Sequence, residues 1–217
     1  MVETSKLIFV IMKVLLVNGS PHHKGCTYTA LTEVADTLNK FGVETEMFWV
    51  GNKPISGCIG CGKCVEKGKC AIDDVVNKFL EKVKDTDGFV FGTPVHFAAA
   101  SGAITSFMDR AFYVRSAQLA YKPAASVISC RRGGASAAFD QMNKYLTIRN
   151  MPVVSSQYWN MVHGNTPEEV RQDLEGLQTM RTLGQNMAWL LKCIEAGKQA
   201  GVPLPIQEEW TPTNFIR

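Results

Sequence analysis

The chain lacks an apolar run long enough to cross a bilayer. Leu7–Val17 is interrupted by Lys13 and falls short of the roughly 20 residues that a spanning helix needs. No small-residue cleavage site follows it, which argues against a secretory signal peptide. A strong charge of either sign is also missing. The net charge of +3 is too mild to argue for nucleic acid or a membrane surface as partner. There are no internal repeats and no composition that marks a linker, so 217 residues suit one domain with extensions. Two phosphate-binding signatures are absent as well. Gly25 is followed by Cys26-Thr27 rather than the Lys-Ser/Thr of a P-loop. Gly19 and Gly25 stand too far apart for the dinucleotide fingerprint.

What is present is an ordinary globular composition, 46% hydrophobic and 20% charged, with seven cysteines. Without a secretory signal, the expected compartment is a reducing cytoplasm. There, clustered cysteines point to metal or redox chemistry rather than to disulfides. Residues 1–11 read as a dispensable extension, because Met12-Lys13-Val14 leads directly into a first strand. Residues 12–200 read as the main domain, 51–72 as a cysteine-rich insert and 201–217 as a tail. The tail's Trp210 and Phe215 make it too aromatic to be simply disordered.

The chain is organised around Lys13–Thr27, an apolar strand that stops at Asn18-Gly19 and passes through a polar loop into a helix. The first turn of a helix carries N–H groups without intrahelical partners, and the helix dipole adds positive potential at the same place. Hydroxyls at Ser20 and Thr27, with His22, His23 and Lys24 able to add positive charge, suit a single phosphate monoester. The alternative is an ordinary strand-to-helix turn with a Thr cap.

Further on, the periodicity predicts helices over 29–41, 73–84, 103–114 and 135–147, and from Thr166 to about Ala196. Strands are predicted over 43–50, 88–93, 124–130 and 152–155. Five alternations of strand and helix imply a doubly wound parallel sheet with helices on both faces. Loops 18–27, 94–102 and 130–134 then fall at the C-terminal edge of the strands, where such sheets bind ligands.

Asn18-Gly19-Ser20-Pro21 with Gly25-Cys26-Thr27, then Thr93-Pro94-Val95-His96-Phe97 with Ser101-Gly102, then Met108-Asp109-Arg110, together resemble the NADPH-dependent FMN reductases. The cysteine stretch is similar to that of the iron-sulfur flavoproteins of the same flavodoxin-like superfamily. The resemblance covers about residues 12–155. It implies a five-stranded flavodoxin-like α/β sheet, FMN as cofactor, and a homodimer or homotetramer with flavin near the subunit interface. It places Ser20, His22, Gly25, Cys26 and Thr27 on the phosphate loop. Pro94, Val95, His96, Phe97, Cys130, Arg131, Arg132, Gly133 and Gly134 fall beside the isoalloxazine. Cys26 departs from the family, whose members often carry Asn there; the amide donor is lost but the backbone N–H remains.

A guanidinium from Arg131 or Arg132 beside the flavin would stabilise its anionic reduced form; the alternative is two solvated arginines. Tyr158, Trp159, Asn160 and His163 would cover a neighbouring subunit's flavin or simply pack an interface. Cys193 reads as a small core residue, and Cys130 as the same or as a flavin neighbour. Cys58, Cys61, Cys64 and Cys70 have the spacing of a [4Fe-4S] ligand set on a glycine-rich loop. Zinc is a second reading and a purely structural loop a third. The expected activity is an FMN-dependent oxidoreductase that takes hydride from NAD(P)H and passes electrons to a flavin, quinone or similar small-molecule acceptor. The alternative is an electron-transfer protein relaying single electrons between ferredoxin and FMN through the cluster.

Overall fold

The computed structural model describes residues 11–114, 118–209, 211 and 213, and the following concerns those residues. The elements are β1 (Lys13–Asn18), α1 (Cys26–Lys40), β2 (Glu44–Trp49), α2 (Cys64–Lys67), α3 (Val75–Val83), β3 (Gly88–His96) and β4 (Ala99–Ala100). They continue with α4 (Gly102–Tyr113), β5 (Ala124–Cys130), α5 (Ala135–Ile148), β6 (Met161–His163), α6 (Pro167–Gln172) and α7 (Leu174–Gln199). Strands β2-β1-β3-β5-β6 form the parallel sheet in that order, and β4 folds back antiparallel on the end of β3.

The inner strand β1 shows why the sheet is sandwiched. Side chains alternate between faces, so Val14 and Leu16 point one way and Leu15 and Val17 the other. All four are fully buried. Val14 and Leu16 pack in a core with Leu31, Val34 and Leu38 of α1 and Leu183, Met187 and Leu191 of α7. Leu15 and Val17 join the opposite core with Phe79 of α3, Ile104 and Phe107 of α4, and Met142 of α5. Phe79 is a hub there, with Phe48, Phe89, Phe91 and Phe107 at ring-centroid distances of 5.2–6.1 Å. Burying each such ring contributes about 1.5–3 kcal/mol, so Phe79→Ala would cost about 3–5 kcal/mol.

Because β1 connects outward to β2 and the chain then crosses back to β3 on its other side, the loops after β1 and β3 meet at a topological switch point.

Several expectations shift. Val153 of the expected last strand makes only an isolated bridge with Ala124, and the paired strand is β6, against Ile128–Cys130. The long C-terminal helix is broken at Asp173, whose carboxylate accepts from Gly176 N at 2.9 Å and His163 N at 2.6 Å. The carboxylate therefore caps the start of α7, while the Asp173 backbone N–H closes α6 on Val170 O. The first helix begins at Cys26 rather than Thr29, directly at the loop. Helix α3 begins after Asp74, whose side chain accepts from Val76 N. Segment 51–72 contains one short helix, α2. Cys193 is exposed rather than in the core. It lies two residues beyond Leu191, off the stripe formed by Met187, Ala188 and Leu191. Leu7–Val10, Trp210 and Phe215 lie outside the described residues.

Candidate functional site

Loop 18–27 is folded by its own polar groups. Asn18, fully buried, accepts from Ser20 N and donates to His23 O at 3.0 Å. Ser20 Oγ accepts from His22 N at 3.1 Å, and Trp49 Nε1 donates to Ser20 O at 2.8 Å. The His23 ring lies 4.6 Å from that of Trp49. Gly19 donates to Gly92 O at 2.9 Å and accepts from Ser101 Oγ at 3.2 Å. A Cβ at Gly19 would lie within 2.8 Å of three Ile104 atoms, so the backbone passes where no side chain fits.

The loop feeds α1 at Gly25, where no side chain caps the helix. The amides of the first turn are thus left for a ligand, the arrangement that suits a phosphate. The Thr27 hydroxyl has a partner within the protein. Its Oγ1 is buried and 2.8 Å from Ser129 Oγ, tying α1 to β5 beneath the loop. The Ser20 hydroxyl is likewise engaged within the loop, whereas His22, His23 and Lys24 are exposed around it. Burial raises the Cys26 thiol above its ordinary pKa and keeps it neutral, and its Sγ lies 3.7 Å from Gly164 O. A neutral thiol there does not compete with an anion for the helix N-terminus.

Pro94, Val95 and His96 lie on the extended end of β3 rather than in a loop. The chain reverses at Phe97-Ala98 and pairs Val95 with Ala100 and His96 with Ala99. Both turn residues have positive φ, 49° and 60°. Two-residue hairpins favour such a turn, but glycine or asparagine usually supplies it. With Phe and Ala, the left-handed conformation costs about 1–2 kcal/mol per residue. The Phe97 ring is fully exposed. The hairpin is held by Gln141 Oε1, which accepts from Ala100 N at 3.1 Å. Gly134 (φ 91°) sits so close that a Cβ there would lie 2.5 Å from Ala98 Cα. Arg131, Arg132 and Gly133 are exposed on the same exit loop, and Cys130 is buried with its thiol pKa raised by that burial. Loop 18–27, the hairpin at the end of β3 that stands where loop 94–102 was expected, and loop 130–134 thus follow the C-terminal ends of β1, β3 and β5.

Cys58, Cys61, Cys64 and Cys70 all line one cavity, with Ile72, Arg110 and Tyr113. Among the described residues, no group of three Cys, His, Asp or Glu side chains converges tightly enough to hold an ion. The thiols share a cavity without meeting at a point. Gly60, Gly62 and Gly68 adopt φ of 64–69°, which gives the loop bends that other residues resist. The donor set, four thiols around a cavity on a pliable loop, fits an iron-sulfur cluster.

Arg110, which enters the sequence analysis only within the Met108-Asp109-Arg110 motif and without a role of its own, is placed at this cavity. Its side chain is 1% exposed, and it forms a two-toothed pair with Asp74, Nη1–Oδ2 2.6 Å and Nη2–Oδ1 2.9 Å. Burial works against its charge, but the bonds to Asp74 and Cys70 more than offset this, and its pKa stands above the ordinary guanidinium value. The available signal was an arginine inside the buried stripe Phe107, Met108, Ala111 and Phe112. Ser129 and Trp49, which brace the anion loop, carried no such signal. Tyr158 and Trp159 are about half exposed, Asn160 is buried, and His163 Nδ1 lies 3.6 Å from Asp173.

Comparison with known proteins places this geometry. The sequence model of the NADPH-dependent FMN reductases matches residues 12–166. An iron-sulfur flavoprotein of Methanocaldococcus jannaschii is 34% identical over 192 residues, covering 85% of this chain and 100% of the relative. An iron-sulfur flavoprotein of Methanosarcina thermophila is 24% identical, covering 86% and 99%. Among solved structures, RosB with a bound 8-demethyl-8-formylriboflavin-5'-phosphate intermediate superposes with a TM-score of 0.66 at 16% identity, covering 95% and 94%. An archaeal flavodoxin gives 0.57 at 13% identity, covering 83% and 99%. These two likenesses concern the fold, which is flavodoxin-like.

Proposed function

The chain belongs to the NADPH-dependent FMN reductase family, and from that premise we propose that it is an FMN-dependent oxidoreductase of the iron-sulfur flavoprotein kind. The observation that carries this reading is the pairing of an uncapped, prefolded anion loop at the switch point with four cysteines around one cavity. The FMN phosphate would be held by the backbone N–H groups of Cys26 and Thr27 in the first turn of α1, with the loop residues Ser20, His22 and Gly25 around it. Ser20 and Thr27 act from below, holding the loop in shape. Pro94, Val95, His96, Phe97 and residues 130–134 flank the ring, with Arg131 or Arg132 supplying positive charge where the reduced ring is anionic.

When bound, FMN supplies a ring that takes up electrons in pairs or singly. Cys58, Cys61, Cys64 and Cys70 would hold a [4Fe-4S] cluster, which supplies one-electron transfer. The chain's own residues orient these groups and set their electrostatics; no protein nucleophile is required. The partner is a ferredoxin-like one-electron carrier, and the relatives' names support this part of the reading. A second reading, in which NAD(P)H delivers hydride and a small molecule accepts the electrons, is favoured by the family description. Residues 12–200 form the FMN-binding unit, assembled as a homodimer or homotetramer in the cytoplasm. Among the described residues no helix is long and apolar enough to cross a membrane.

Anaerobic reconstitution with FMN, iron and sulfide tests the proposal. About four irons and one FMN per chain, with rapid reduction by ferredoxin and slow reduction by NAD(P)H, is the expected result. Rapid NAD(P)H oxidation without iron would select the second reading, and FAD or no flavin would overturn both.

A further inference from the structure

The same guanidinium that is buried beneath the cysteine cavity touches both ends of the cysteine loop and one of its thiols. Arg110 Nη1 donates to Ser56 O at 3.4 Å, two residues before Cys58. Nη2 donates to Ile72 O at 2.8 Å, two residues after Cys70. Nε donates to Cys70 Sγ at 3.2 Å. The remaining bonds go to Asp74, so the planar fork is fully engaged. Asn77 of α3 fixes the backbone of the same cysteine, accepting from Cys70 N at 2.9 Å and donating to Cys70 O at 3.1 Å.

Cys70 is therefore held from two helices, α3 and α4. Cys58 and Cys61 are exposed, and Cys64, partly exposed, begins the short α2. A ligand fixed before the metal arrives removes part of the ordering cost for the whole set. An N–H donor to a ligand sulfur has a second effect. An added electron increases the negative charge on the sulfur, so the hydrogen bond is stronger in the reduced form and the reduction potential rises. Asp74 cancels most of the long-range charge of Arg110, which leaves the directed N–H bond as the local influence.

Resting on the reading that the four cysteines hold a [4Fe-4S] cluster, we propose that Arg110 is a positioning residue that buckles the cysteine loop, presets Cys70 as its fixed ligand, and raises the potential of the cluster. Asp74 is the counter-charge that sets how large this effect is. The two residues act in opposite directions on the potential, which a role in stability alone does not produce.

The test compares wild type, Arg110→Met, Arg110→Lys and Asp74→Asn after anaerobic reconstitution. Iron per chain, midpoint potential by dithionite titration, and iodoacetamide labelling of each cysteine in the iron-free chain are measured. Wild type should hold about four irons per chain. In the iron-free wild type, Cys70 should label more slowly than Cys58 and Cys61. Arg110→Met should shift the potential negative and bring Cys70 labelling up to that of the other two. Arg110→Lys, which keeps the charge without the fork, should fall between. Asp74→Asn, which keeps the N–H···S bond and uncovers the charge, should shift the potential positive. Should Arg110→Met fail to fold, Arg110→Lys and Asp74→Asn decide the question. Unchanged potentials in variants that hold four irons would overturn the role of Arg110 and leave the cluster reading standing. A wild type that takes up no iron would overturn the cluster reading and this inference with it.

Discussion

Loops 18–27 and 51–72 leave the same edge of the sheet from neighbouring strands, yet they are built in opposite ways. The first is closed by Asn18, Ser20, Trp49 and Ser101 before any ligand arrives. In the second, among the described residues, no backbone N–H between Asn52 and Lys63 reaches a backbone carbonyl. Its apolar side chains Ile59 and Val65 are about two-thirds exposed. One loop is shaped by the fold and offers its free amides to an anion. The other is pinned at its ends, and its middle carries few bonds of its own. A phosphate needs a fixed cradle of donors, whereas a metal cluster brings bonds strong enough to order a loop by itself.

The strongest challenge to this contrast is Cys61→Ser. Iron should fall from about four per chain to almost none while FMN content stays at the wild-type level. Loss of flavin together with iron would show that the two loops are one unit.

A matched glycine pair separates them next. Gly19→Ala puts a methyl 2.7 Å from Ile104 Cδ1 and should cost about 1–3 kcal/mol, with weaker FMN binding. Gly57→Ala meets nothing nearer than Ser106 Oγ at 4.0 Å and should stay within about 0.5 kcal/mol. Urea unfolding of the two variants reads the difference directly, and equal losses would erase it.

Thr27→Val sharpens the account of the first loop. It strands the buried Ser129 hydroxyl and should cost about 1–2 kcal/mol in the flavin-free protein. Adding Ser129→Ala should return most of that loss. If the single variant instead keeps its stability and loses only FMN affinity, the Thr27 hydroxyl faces the phosphate rather than the core.

The smallest effect lies away from both loops. Glu46 is held below the usual carboxyl pKa by its hydrogen bond to Lys13 and then by that to Lys82, at 2.5 and 2.6 Å. A lowered folded pKa contributes stability above the unfolded value near 4.3, lost as pH falls through the folded value. With partial exposure discounted, Glu46→Gln should lower stability at pH 7 by at most about 1 kcal/mol. The gap in melting temperature should close below about pH 4. Flavin and iron contents should be unchanged at pH 7; a change in either would tie the base of the sheet to the loops.

How much of this was legible depends on the range of the interaction. The strand β1, buried from Val14 onward, announced itself as an apolar run, and the cysteine set by its spacing. The fifth sheet position did not, because it is split. Val154 N bonds to Ala124 O, the chain then leaves the edge, and pairing resumes at Met161. Either segment alone looks like a short strand. The break at Asp173 was hidden because one carboxylate serves both Gly176 and His163, and no local pattern records the second. Loop 18–27 was singled out from its own residues. The partner of its Thr27 stands 102 positions away, so the bond between Thr27 Oγ1 and Ser129 Oγ left no local trace.

That separation has a consequence in time. The start of α1 is braced from behind by Ser129 and by Gly164, the latter 138 residues beyond Cys26. At a synthesis rate of about 5–20 residues per second, roughly 7–28 s pass between the emergence of the loop and the arrival of its last support. Through that interval the nascent chain presents an anion loop without its backing. On the proposed reading, FMN capture therefore belongs to the nearly complete chain, after β6 has closed the sheet's edge.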